Sequence, residues 1–131
     1  MKNRESYLTE VFADIRILLE QSFVFYMKKQ RDEEEKLLSK VETLFIDFFR
    51  DPHTANDLKY FPEKTSDILL HACVFLIERN TTDDVKVELC SFVLGSKQVL
   101  APREIIDYIW KELDTLGLKG TVEKKIEELY G

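Results

Sequence analysis

The chain has 131 residues, 44% hydrophobic and 34% charged, with a formal net charge of -6. That is the size of one ordinary domain with apolar material for a real core, which excludes a disordered segment. Neither half is basic, so generic binding along a phosphate backbone, which needs a clustered positive patch, is disfavoured.

No Gly or Pro precedes Pro52, and a stretch without breakers that is rich in Leu, Phe, Glu and Lys reads as helix. Leu8, Val11, Phe12, Ile15, Leu18, Leu19, Phe23 and Tyr26 follow helical spacing, as do Leu37, Val41, Leu44, Phe45 and Phe48. Between the two sets lies Lys28-Lys29-Gln30-Arg31-Asp32-Glu33-Glu34-Glu35, with no apolar residue and a capping-box-like pairing of Asp32 with Glu35. The pattern predicts two helices, 5–30 and 33–50, joined by a tight turn; one long helix with a solvated middle is the rival. The heptad pattern is too irregular for a sustained coiled coil.

Asp51-Pro52 ends the second helix, because the residue before proline avoids helical geometry. Residues 51–64 read as a loop with one short turn around Ala55–Tyr60. Thr65 or Ser66 then caps a third helix that runs to Arg79, with Asn80 as a left-handed terminator. Thr81-Thr82-Asp83-Asp84 starts a fourth helix that Gly95 stops. Pro102 opens a fifth, 102–115. Gly117 and Gly120 bound a loop, and Thr121 caps a sixth helix, 122–130. The expectation is one all-α domain over 1–131, a compact bundle of five or six helices. Val85, Val87 and Leu89 alternate with Lys86 and Glu88, so a hairpin at 72–94 in an α+β fold is the minority alternative.

Recognised chemical motifs are scarce. There is no Gly-rich phosphate loop and no Cys/His cluster of zinc spacing. Cys73 and Cys90 lie in apolar runs, where a thiol acts as a small hydrophobe. Asp67 and His71 stand at i and i+4 with Glu78 on the same stripe of the third helix. This stripe is either a metal or acid–base site or the solvent window of an otherwise apolar helix. Phe45, Phe48, Phe49, Tyr60 and Phe61 read as core rather than as a ligand pocket. The acidic run Glu33-Glu34-Glu35 favours the positive end of a helix dipole. The last two helices could form a helix-turn-helix, but Lys124 and Lys125 are interspersed with Glu123, Glu127 and Glu128. No cofactor is expected.

Helix one carries a second apolar side. Ile17 and Val24, at i and i+7, lie about 160–180° from Leu8, and Phe25 widens that side. A helix apolar on two sides is either central to its fold or part of an interface.

From Ile68 to Leu113, an apolar helix carrying Leu69-Leu70-His71-Ala72, another helix and then a Pro-led helix follow in order. This order resembles the second half of the transcription antitermination factor NusB, and the resemblance implies a helical fold. The Arg-rich N-terminus with which that family binds RNA has no counterpart in Met1-Lys2-Asn3-Arg4-Glu5, so no function is carried across. The expectation is a cytoplasmic, non-catalytic interaction or regulatory module that forms a homo-oligomer or binds another protein, with no membrane contact and nucleic acid disfavoured. The alternatives are a metal-binding protein or enzyme built on the Asp67/His71/Glu78 stripe and a nucleic-acid-associated factor.

Overall fold

The computed structural model describes residues 3–131. The described residues form seven helices and no strand, in two compact units. The first unit ends at Pro52 and the second is His53–Gly131.

The first unit is a helical hairpin of α1 (Arg4–Met27) and α2 (Arg31–Arg50), packed on each other. Asn3 caps α1, its side-chain carbonyl accepting from the Glu5 amide at 2.8 Å. The chain reverses at Lys28-Lys29-Gln30, so there are two helices, and the turn falls earlier than the spacing suggested. The Gln30 amide donates to the Phe25 carbonyl at 2.9 Å and the Lys29 amide to the Tyr26 carbonyl at 3.0 Å. This is the Schellman pattern, which requires a left-handed residue in its middle. Lys29, at φ 59°, supplies it without being glycine. Gln30 precedes α2 with no side-chain cap bond, and Asp32 lies inside the first turn instead of capping it. Leu8, Ile15 and Ser22 of α1 are buried, as are Val41, Phe45, Phe48 and Phe49 of α2. At the open end of the hairpin, Arg4 sits over the Tyr7 ring at 4.3 Å and reaches Asp51 at 3.9 Å.

The second unit contains α3 (Thr54–Tyr60), α4 (Pro62–Glu78), α5 (Asp83–Gly95), α6 (Arg103–Thr115) and α7 (Lys119–Tyr130). α3 is the seventh helix, formed where only a single turn was expected. α4 begins at Pro62, ahead of Thr65 and Ser66, because proline suits a first helical position. α4 packs on α3, α5 and α6, and α7 packs on α5 and α6. α4 is the most enclosed element, with Ile68, Leu69, Leu70, Ala72, Cys73, Leu76 and Ile77 all buried. α4 stops at Glu78 and Arg79 turns extended, so Asn80 does not act as a left-handed terminator.

The hairpin at 72–94 does not form, since these residues lie in α4, α5 and the link between them. Thr82 caps α5, accepting from the Val85 amide. The strand-like alternation has a packing cause: Lys86, Val87, Leu89, Cys90, Ser91 and Val93 are all buried, so α5 is packed on several sides. Gly95 is the last residue of α5 and leaves room for a ring: a Cβ built there would stand 2.5 Å from Tyr130. α6 ends in a second Schellman turn, with Gly117 at φ 75° and the Leu118 amide donating to the Leu113 carbonyl at 2.8 Å. α7 starts at Lys119, so Gly120 and Thr121 lie within its first turn.

Candidate functional site

The chemistry-bearing stripe of α4 is exposed: Asp67, His71 and Glu78 all face solvent. The structure does not gather them into one site. His71 Nδ1 lies 2.7 Å from the backbone carbonyl of Asp67, which ties the ring to its own helix. Glu78 accepts a 2.8 Å hydrogen bond from the Tyr108 hydroxyl of α6. That bond holds the phenolic proton and raises the Tyr108 pKa above its usual value, with desolvation adding to the shift. Among the described residues, no group of three or more His, Cys, Asp or Glu side chains could hold a metal ion.

Cys73 and Cys90 are free thiols, both buried, on the packed helices α4 and α5. Burial, and then a hydrogen bond with Cys90, pushes the Cys73 thiol well above its usual pKa. A thiol held protonated in an apolar layer is a poor nucleophile. On α7, Val122 is buried while Glu123, Lys124, Glu127 and Glu128 are exposed, so its outer surface mixes charges instead of presenting a basic groove reader.

α1 has the surface that a hairpin alone does not explain. Ile17 is 51% exposed, Val24 47% and Met27 64%, while Leu8 and Ile15 on the opposite side are closed. Phe25 is half-buried. Phe23, which shares the helical spacing of Leu8 and Ile15, is nevertheless 60% exposed and stacks on the equally exposed Tyr26, ring centroids 6.1 Å apart. The reason lies in α2, whose first six residues, Arg31–Lys36, include no apolar side chain to cover the last turns of α1. The exposed residues have an order that the mixed sequence hid. Ala13, Ile17, Glu20, Val24 and Met27, all exposed, repeat at spacings of four and three, the seam of a coiled coil. At about 100° per residue they occupy an arc of about 80° opposite Leu8 and Ile15. The packed stripe masked this seam by filling the intervening positions with apolar residues.

Comparison with known proteins finds no matching family model, no matching curated protein and no matching solved structure. The NusB-like segment order therefore stands without a relative behind it. Among the described residues, no helix is long and apolar enough to cross a membrane.

Proposed function

We propose that this chain is a non-catalytic protein-interaction module that self-associates through the outer face of α1. The observation that supports the reading is the exposure of Ile17, Val24 and Met27 on one side of a helix whose other side is already packed. Apolar groups set in line on a surface mark contact sites. The dispersal of Asp67, His71 and Glu78 into a local bond and an α6 contact gives the competing acid–base reading no assembled site.

The test is the molar mass of the full chain by light scattering across concentration. The wild type is expected to exceed the monomer mass, and Ile17→Glu with Val24→Glu is expected to lower it while helicity is retained. Unchanged mass and unchanged stability in the double variant would remove α1 as the surface.

A further inference from the structure

We infer that the occupant of the α1 seam is α1 of a second copy, lying antiparallel about a two-fold axis at Glu20. This rests on the proposal that α1 is the interaction surface, and adds the partner and its direction.

The seam spacing selects a helical partner. Side chains repeating every three and four residues make the knobs and holes of two helices at a shallow crossing. From Ala13 to Met27 the seam runs about 21 Å at 1.5 Å per residue, with Glu20 at its midpoint. A seam with a central position is self-complementary under a two-fold axis, the symmetry of most homodimers. Ala13 of one copy then meets Met27 of the other, small against large, and Ile17 comes within one residue of Val24.

Charge sets the direction. Glu10 and Asp14 flank the N-terminal part of the seam, and Lys28 stands at its C-terminal end. Antiparallel pairing places the acids of one copy beside Lys28 of the other and opposes the two helix dipoles favourably. Parallel pairing would place acid on acid and lysine on lysine. Only Glu20 is out of character at the centre. Arg16, 3.7 Å from Glu20 on the same helix, supplies the cation beside the axis. A single polar residue at such a position fixes register and weakens the pairing.

The test uses single cysteines in the full chain with a short bismaleimide cross-linker; the native Cys73 and Cys90 are buried and do not compete. Glu20→Cys is expected to cross-link to itself, and Ala13→Cys to link to Met27→Cys in a mixed sample but not to itself. Glu20→Leu is expected to tighten the dimer about tenfold. Self-linking at both positions 13 and 27 would overturn the antiparallel arrangement and leave self-association through α1 intact. A dimer that links at none of these positions would overturn this inference and the α1 surface together. A monomer at every concentration would overturn the second copy as occupant and leave α1 available only to a different protein.

Discussion

The two Schellman turns form a matched pair with opposite chemistry, and exchanging their central residues tests what terminates these helices. Lys29 and Gly117 occupy the same position in the same hydrogen-bond pattern, at φ 59° and 75°. A left-handed conformation costs an L-residue about 1–2 kcal/mol through Cβ crowding. Glycine avoids that cost but loses about 0.5–1 kcal/mol more backbone entropy on folding. The net expectation for Lys29→Gly is a gain of about 0.5–1 kcal/mol, and for Gly117→Lys a loss of about the same size. A Cβ at Gly117 meets no atom of a residue beyond its chain neighbours within 4 Å, so the loss expected there is conformational. Urea unfolding followed by circular dichroism at matched concentration gives both values. In thermal melts the shifts should be about 2–5 °C in opposite directions. A Gly117→Lys protein within about 0.3 kcal/mol of the wild type, or a Lys29→Gly protein less stable than it, would show that the left-handed residue does not limit these turns.

Leu69, fully enclosed on α4, should cost about 2–5 kcal/mol as Leu69→Ala in the same urea assay. The raised Tyr108 pKa means that the folded chain holds the phenolic proton more tightly than the unfolded chain. The bond to Glu78 therefore contributes stability below about pH 10 and loses it as pH rises through the raised value. The stability difference between wild type and Tyr108→Phe should shrink across that range in urea titrations at stepped pH. Cys73 and Cys90 should stay unreactive toward a chromogenic disulfide reagent in native buffer and both react in denaturant, read by absorbance. Gly95→Val should displace the half-exposed Tyr130 ring and press on Ile126, and so shift tyrosine fluorescence more than it shifts the melting temperature.

The helical class was legible because caps and breakers agree with periodicity along most of the chain. Thr82 with Asp83 and Asp84, and Asp51 before Pro52, mark boundaries that the fold keeps. What escaped depends on contacts between elements distant in sequence. Phe23 reads as core by spacing, and only the polar start of α2 leaves it exposed. Gly95 reads as a stop signal, while its role is to admit Tyr130 from thirty-five positions later. The acidic and imidazole groups of the α4 stripe are placed on one face by spacing alone, but spacing does not tell that Glu78 turns to Tyr108. The α1 seam was half visible, as Ile17 and Val24, and became a regular array once the enclosed residues were subtracted.

The order of packing in the second unit also bears on how the chain gets there. α7 lies against α5 with α6 intervening in sequence, whereas α1 and α2 meet across a three-residue turn. Local pairings cost little loop-closure entropy, and the longer closure has to be met before its contacts stabilise anything. The α1–α2 hairpin is thus placed to form early, and the docking of α7, with Tyr130 closing over Gly95, to come late. The same step is the natural first opening of the native state, so backbone amides in α7 should lose hydrogen-exchange protection ahead of those in α4.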